Sequence, residues 1–156
     1  MVDIPQLGER GGGWVVVQFA LMLAIGIAGY LGPGWPAGRA LVVVGIAVAI
    51  AGGAVAVSAS REHRAGLTPF PRPKASAVLI ESGPYRVVRH PIYSGGLLSF
   101  VGISLTLSPA ALALTAILAI VWALKVEVEE RFLREAEPAY VAYCERTPAR
   151  LIPFVY

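Results

Sequence analysis

The sequence has 156 residues, of which 56% are hydrophobic and 15% are charged, and its formal net charge is +3. Soluble domains are about a quarter charged, so the composition indicates a chain surrounded by lipid and argues against nucleic acid as a partner. The single cysteine, Cys144, excludes an intramolecular disulfide, and with only two histidines in the chain we expect no metal site.

Two uncharged apolar stretches come first, at residues 14–31 and 40–59. A helix that crosses the hydrocarbon core of a bilayer needs about 20 residues, so each stretch predicts one span. The leader before the first stretch carries Asp3 and Glu9 against Arg10, which is the wrong charge for a signal peptide, so we expect no cleavage.

A third apolar stretch, residues 91–124, is longer than one crossing needs. Ser108-Pro109 lies near its middle, where proline interrupts helical hydrogen bonds. We therefore predict a helical hairpin of residues 93–107 and 109–124, with one kinked and tilted helix as the alternative. The predicted fold is an all-α integral membrane protein with about four transmembrane helices, a cytoplasmic loop and a C-terminal helix.

The distribution of basic residues predicts the orientation. Four spans place both termini on the same side as the loop at residues 60–92, and this side holds every lysine and arginine except Arg39. The positive-inside rule assigns that side to the cytoplasm. Because the Ala-, Gly- and Arg-rich composition is typical of bacteria, we expect a protein of the bacterial inner membrane with both termini in the cytoplasm.

The chain is expected to form one membrane domain over residues 1–156. Its parts in chain order are two scaffold spans at 14–59, the cytoplasmic loop at 60–92, the hairpin at 93–124, and a cytoplasmic C-terminal helix and tail at 125–156. Small residues recur every fourth position at Gly45, Ala49 and Gly53, which favours close approach of helix backbones in lipid.

The cytoplasmic loop ends in a cationic, turn-rich segment, ESGPYRVVRHPIYSGG. Gly83-Pro84 predicts a turn, and Pro91 keeps His90 out of helical geometry while suiting the first turn of the next helix. Gly95-Gly96 would let a flat ligand approach the backbone. The alternative function of this segment is a basic loop that binds lipid headgroups.

The last span continues into water as an amphipathic helix. One helical stripe carries apolar or aromatic side chains and a single carboxylate, Glu129, near its centre. The stripe consists of Trp122, Val126, Glu129, Leu133, Ala136 and Tyr140. Glu130 falls at the boundary of the stripe, and Glu127, Arg131 and Arg134 occupy the opposite face.

Glu129 needs a cationic or hydrogen-bonding partner, because burying a carboxylate alone is costly. Lys125, one turn earlier, would form a simple i,i+4 ion pair. Arg89 of the loop and the ammonium group of a bound ligand are the other candidates. The segment around Arg89 and the inward carboxylate together predict a polar pocket at the membrane interface.

Four motifs stand in order along the second half of the chain. They are Ser82-Gly83-Pro84-Tyr85, Arg89-His90-Pro91-x-Tyr93-x-Gly95, Lys125-Val126-x-x-Glu129-Glu130-x-x-Leu133, and a closing Tyr140-x-x-Tyr143 with Arg146, Pro148 and Ile152-Pro153-Phe154. In order and spacing they resemble the isoprenylcysteine carboxyl methyltransferase and phospholipid methyltransferase families. The resemblance covers residues 75–154, which would be the catalytic half.

This resemblance implies a membrane-embedded methyltransferase whose cytoplasmic loop binds the cofactor S-adenosyl-L-methionine. The cofactor-binding residues that it implies are Ser82, Gly83, Pro84, Tyr85, His90, Tyr93, Gly95, Gly96, Glu129 and Glu130. It implies that Glu129 holds the amino group of the cofactor and that Arg89 lies close to the transferred methyl and the substrate. Arg89 and Glu129 are therefore the expected catalytic residues, and Arg89 and Lys125 the expected substrate-binding residues.

The implied reaction is an in-line displacement at a sulfonium methyl group, for which the protein supplies proximity and alignment. The acceptor would be a lipidic or small hydrophobic molecule that enters from the bilayer and offers a carboxylate, thiol or amine. Lys125 stands where the family often has arginine and lacks the bidentate fork that suits a carboxylate. An NAD(P)H-dependent reductase of the sterol-reductase type and a non-catalytic membrane scaffold are the alternatives.

Overall fold

The structure, a computed structural model, describes residues 4–36, 38–63, 67–74 and 78–153. Asp3 of the leader and Phe154 of the closing motif lie outside the described residues. The described part contains helices and no strand. Its elements are α1 (Gly12–Leu31), α2 (Arg39–His63), a 3-10 turn (Gly83–Arg86), α3 (Pro91–Leu107), α4 (Pro109–Ala136) and α5 (Ala139–Arg146).

Membrane spans account for most of these helices. α1, α2 and α4 are long and apolar enough to cross a membrane, and α3 is a shorter apolar helix. α4 has 28 residues. At 1.5 Å per residue it is about 42 Å long, so about 12 Å of it extends beyond a hydrocarbon core of about 30 Å. The prediction of an all-α integral membrane protein is confirmed, and α5 follows α4 after a break at Glu137-Pro138.

The predicted hairpin forms at Ser108. Its backbone is extended, with φ −160° and ψ 157°, so α3 ends there and α4 begins at Pro109. The Ser108 hydroxyl accepts a hydrogen bond from Ala111 N–H at 3.1 Å and donates to the carbonyl of Ala28, which ties the hairpin tip to α1. The alternative of a single kinked helix is therefore wrong.

The helices pack in an order that differs from their order in the chain. α2 packs along α3, α3 lies beside α4, and α4 packs against α1. α1 and α2 make little contact with each other, although a short link joins them. Both are therefore outer helices, with most of their surface available to lipid.

Glycines bring the backbones of α2 and α3 together. A Cβ atom on Gly102 would lie 2.3 Å from the backbone nitrogen of Ala49, and one on Gly45 would lie 2.6 Å from the carbonyl oxygen of Gly102. Gly45 and Ala49 thus lie at a close helix contact, as predicted. The third position was predicted wrongly: Gly52 faces α3, whereas Gly53 has only one distant neighbour there, the Ser99 hydroxyl at 3.9 Å.

The two predicted turns before α3 are both present. Gly83 has a positive φ of 56° and begins the 3-10 turn, which glycine adopts without the steric cost of a Cβ. His90 is non-helical, with φ −125° and ψ 59°, and α3 starts at Pro91. These turns direct the 82–90 segment back toward the end of α4.

Candidate functional site

The polar residues of the second half of the chain meet beside the first turn of α3. Residues 147–151, which we call the tail, run along the segment that leads into this helix. The N–H group of Arg89 donates to the carbonyl of Ala149 at 2.9 Å. The N–H group of His90 donates to the carbonyl of Arg150 at 3.0 Å. The backbone on both sides of the site is thereby fixed.

Glu130 is the centre of the charged cluster, and its side chain is fully buried. Its Oε1 atom accepts from Arg89 Nε at 2.8 Å and lies 3.3 Å from His90 Nε2. Its Oε2 atom accepts from Arg134 Nη2 at 3.0 Å and lies 3.3 Å from Arg150 Nε. A buried carboxylate is tolerated only when it is paired and hydrogen-bonded, and Glu130 meets both conditions.

Arg89 is buried and directed inward. Besides Glu130, it contacts the tail, because its Nη1 atom donates to the carbonyls of Thr147 and Pro148, each at 2.7 Å. Burial by itself would lower the pKa of Arg89, but the hydrogen bond to Glu130 and the attraction of its charge raise the pKa overall. Arg89 is therefore a permanent cation that joins α4, the tail and the start of α3.

Glu129 has a different environment. About a quarter of its side chain is exposed, at 24%. Tyr93 donates its hydroxyl to Glu129 Oε2 at 2.9 Å, and His90 Nδ1 lies 4.0 Å from Oε1. In the described part of the chain no lysine or arginine forms an ion pair with this carboxylate. Its negative charge is therefore available to a cation from outside.

Lys125 does not form the i,i+4 ion pair that its spacing allows. Its Nζ atom donates to Gln18 Oε1 at 2.6 Å and to the carbonyl of Pro69 at 2.7 Å. The ammonium group also lies 5.4 Å from the centre of the Tyr93 ring, within range of a cation–π contact. The side chain is buried, and its direct hydrogen-bond partners are these neutral groups, while the charge of Glu129 acts on it only from beyond ion-pair distance.

The predicted stripe of α4 is only partly correct. Trp122 and Val126 are buried, as predicted, and Glu129 is half-buried. Leu133 is only half-buried and Ala136 is exposed, whereas the buried surface also includes Lys125, Val128, Glu130 and Phe132, which lie outside the stripe. Glu130 therefore lies inside the packed face rather than at its boundary, because α3 and the tail cover that side of α4.

The face that was predicted to be solvated is also in contact with other segments. Glu127 Oε2 accepts from Arg150 Nη1 at 2.5 Å. Arg131 Nη2 donates to the carbonyl of Ile4 at 2.9 Å. Both contacts involve segments outside α4, so this helix is covered on several sides near its C-terminal end.

The 3-10 turn lies against the ends of α2 and α5. Ser82 donates its hydroxyl to Glu62 Oε2 at 2.7 Å, and the carbonyl of Tyr85 accepts from the Tyr143 hydroxyl at 2.7 Å. Tyr85 is buried, and burial is the main cause that raises the pKa of its phenol, with Glu129 adding to the effect. Its side chain thus stays neutral close to the carboxylates of Glu129 and Glu62.

Helix α5 brings a second tyrosine to the cluster. The rings of Tyr140 and Tyr143 meet edge to face, with 5.8 Å between their centres. The Tyr140 hydroxyl is buried and has no hydrogen-bond partner within the described residues. Burial, with the charge of Glu130, raises the pKa of this phenol.

The two glycines after Tyr93 have packing neighbours of their own. A Cβ atom on Gly95 would lie 2.5 Å from the backbone nitrogen of Ala56, so this glycine admits α2. One on Gly96 would lie 3.0 Å from the Trp122 ring. The absence of side chains here serves helix packing.

The structure brings together most of the residues predicted from sequence. Arg89, His90, Tyr93, Glu129 and Glu130 lie in one connected network, and Tyr85 lies near it. Sequence reasoning missed the roles of Gln18 and Arg150. Gln18 did carry a signal, because it is the one polar residue within the predicted first span, whereas Arg150 had none beyond its charge.

The fold and the site define a helical membrane protein with a carboxylate pair at the end of a span. A sequence model of phospholipid methyltransferases matches residues 40–136, which is more than half of the chain. The chain therefore belongs to the phospholipid methyltransferase family. The resemblance of its motifs to that family is confirmed. The family implies a membrane methyltransferase. The tail lies beyond the matched residues.

A curated relative was also found. The chain is 41% identical over 75 residues to the cobalt-zinc-cadmium resistance protein CzcN of Cupriavidus metallidurans. The match covers 46% of this chain and 34% of that protein, so it spans about a third of the relative's length. Within the described ranges, no group of three or more His, Cys, Asp or Glu side chains is placed to hold a metal ion.

Proposed function

We propose that this protein transfers a methyl group from S-adenosyl-L-methionine to a lipidic or small hydrophobic acceptor at the cytoplasmic face of the bacterial inner membrane. The acceptor atom belongs to a carboxylate, a thiol or an amine. Family membership supports the reaction type. The unequal distribution of cationic side chains around Glu129 and Glu130 of α4 supports the identity of the cofactor.

The observation that carries the proposal is the environment of Glu129. Three arginines gather around its neighbour Glu130, whereas Glu129 has the Tyr93 hydroxyl, a more distant histidine and an exposed edge. A carboxylate in this state is a good partner for an ammonium group, because a charge-assisted hydrogen bond is about twice as strong as a neutral one. The amino group of the cofactor is such a partner.

The surrounding residues also fit this cofactor. When bound, S-adenosyl-L-methionine supplies a methyl group on a positively charged sulfur. Tyr85 and Tyr93 present aromatic rings near Glu129, and such rings attract cations. His90, Gly83 and Pro84 lie on the turns that border these rings. The proposed cofactor-binding set is completed by Ser82, Gly95, Gly96 and Glu130. The last three of these act by supporting the residues that contact the cofactor.

Arg89 and Lys125 are proposed to act indirectly. Arg89 fixes Glu130 and the tail, and through them His90, so we infer a positioning role for it in catalysis. Lys125 donates inward to Gln18 and to a carbonyl, so its contribution to acceptor binding passes through those groups. The protein's part in the reaction is alignment of the acceptor with the methyl group.

Calorimetry in detergent, on wild type and on the variant Glu129→Gln, tests the proposal. Wild type should bind S-adenosyl-L-methionine, and Glu129→Gln should bind it about tenfold more weakly or worse, because a hydrogen bond between charged groups is lost. Glu135→Gln, an exposed carboxylate on the same helix, is the matched control and should bind like wild type.

NADPH in the same calorimeter separates the alternative functions. Folded, monodisperse wild type that does not bind S-adenosyl-L-methionine would contradict the proposal. Binding of NADPH in its place would indicate a reductase, and binding of neither would indicate a scaffold.

A further inference from the structure

Glu62 is a carboxylate in the last turn of α2, a position that does not favour negative charge. The C-terminal end of a helix carries a partial negative charge, so the helix dipole repels an anionic side chain there. The side chain is exposed, and its one hydrogen-bond partner among the described residues is the Ser82 hydroxyl, 2.7 Å from Oε2. The stability of α2 therefore does not explain this carboxylate.

The 3-10 turn leaves one edge of the Glu62 carboxylate open. Ser82 precedes the turn, but its hydroxyl does not cap the turn and donates to Glu62 instead. A Cβ atom on Gly83 would lie 3.1 Å from Glu62 Oε1, so the glycine leaves free the space that a side chain would fill beside this oxygen. An ionised carboxylate has about four acceptor sites, of which Ser82 uses one. Because Ser82 and Gly83 are both exposed, Oε1 can accept from a hydroxyl group that enters from solvent.

Tyr85 connects this open edge to the proposed site of the cofactor amino group. Its ring meets that of His63, the residue after Glu62, edge to face with 5.5 Å between the centres. The charges of Glu62 and Glu129 both act on the buried Tyr85 phenol. The two carboxylates thus lie around one tyrosine, and each has an exposed edge. An elongated ligand that is bound to Glu129 through one end can therefore reach Glu62 with another part.

We propose that Glu62 binds the ribose of S-adenosyl-L-methionine by accepting hydrogen bonds from its two hydroxyl groups. A carboxylate is the appropriate partner for a ribose, because it only accepts hydrogen bonds and each hydroxyl group has one to donate, as in proteins that bind NAD through an acidic residue. The inference rests on the proposed function, since it needs this cofactor. It adds a residue of α2 to a binding set that otherwise comes from the 3-10 turn, α3 and α4.

The test compares two ligands that differ only in these hydroxyl groups. Full-length protein in detergent is titrated calorimetrically with S-adenosyl-L-methionine and with its 2′,3′-dideoxy analogue. Wild type should bind the analogue about tenfold more weakly or worse, because hydrogen bonds to a charged group are lost. Glu62→Ala should bind both ligands equally, with about the affinity of wild type for the analogue. This variant should fold, because Glu62 is exposed and alanine favours the helix.

The control is Glu145→Ala, the same change at another exposed carboxylate, which should keep the preference of wild type. Equal binding of the two ligands by wild type, or an unchanged preference in Glu62→Ala, would overturn the inference. If Glu62 only held the 3-10 turn in place, its loss would weaken both ligands alike. The ratio of their affinities would then be unchanged, and this result would also contradict the ribose contact.

Glu129→Gln separates a failure of this inference from a failure of the proposed function. It removes the contact with the amino group, which both ligands share, so it should weaken both by the same factor and keep the preference. Folded wild type that binds neither ligand would contradict the proposed function and the inference together. A preference that is lost in Glu62→Ala, with undiminished binding by Glu129→Gln, would support the ribose contact and contradict the role proposed for Glu129.

Discussion

Glu129 and Glu130 are neighbours in sequence but point in directions about 100° apart on a helix of 3.6 residues per turn. That angle directs Glu130 into the arginine cluster and leaves Glu129 beside Tyr93 at an exposed edge. Two chemically identical side chains thus have separate uses. One holds the protein together, and we propose that the other binds the cofactor.

The variant Glu130→Gln should be strongly destabilised. Arg89 would remain buried without its counter-charge, and breaking a buried ion pair by removing one partner costs about 3 kcal/mol or more. Unfolding by SDS, followed by tryptophan fluorescence, measures the change. Arg134→Gln removes a partner of the same carboxylate whose side chain is 41% exposed, and it should cost no more than about 1 kcal/mol. Equal costs for the two variants would contradict this account.

At the scale of the elements, the α2–α3 contact should be intolerant of side chains. Gly102→Ala places a methyl group 2.3 Å from a backbone nitrogen of α2. Overpacking of this kind costs about 1–3 kcal/mol, because rigid backbones rather than side chains have to move apart. The SDS unfolding assay should show that loss.

Gly26→Ala is the matched control for this contact. Gly26 is also in a membrane helix, but a Cβ atom there would meet nothing within 4 Å. Alanine has the higher helix propensity by up to about 1 kcal/mol, so this variant should be neutral or slightly stabilised. Similar losses for both variants would contradict the packing account, because Gly26 has no close neighbour and alanine favours the helix.

The sequence was sufficient to predict the elements but not the partners of the site residues. Hydropathy located the spans, and proline located the start of α3 and the hairpin break, because these signals are local. The helical period could not decide which carboxylate is buried, since that depends on the tail that covers α4. The contact of Lys125 with Gln18 joins residues 107 positions apart, and nothing in the spacing of either helix encodes it.

At the scale of the whole molecule, the distribution of basic residues predicts the topology. If α2 crosses the membrane, the α1–α2 link and the loop after α2 should lie on opposite sides of it, and the positive-inside rule predicts that the loop is cytoplasmic. Single cysteines introduced by Gly38→Cys and Leu67→Cys, in a Cys144→Ser background, test this with a membrane-impermeant maleimide. In intact cells Gly38→Cys should react and Leu67→Cys should not, and the reverse pattern would invert the proposed orientation.

The contacts of the tail have a consequence for the order in which the protein is made. The carbonyl groups that accept hydrogen bonds from Arg89 and from the N–H group of His90 belong to residues 147–151. These residues are translated after every other part of the cluster. While the ribosome still holds these residues, the spans can insert and pair, but Arg89 lacks its carbonyl acceptors and Glu130 lacks Arg150. The helical scaffold can therefore form before the tail is available, and the polar cluster is completed only after residues 147–151 have left the ribosome.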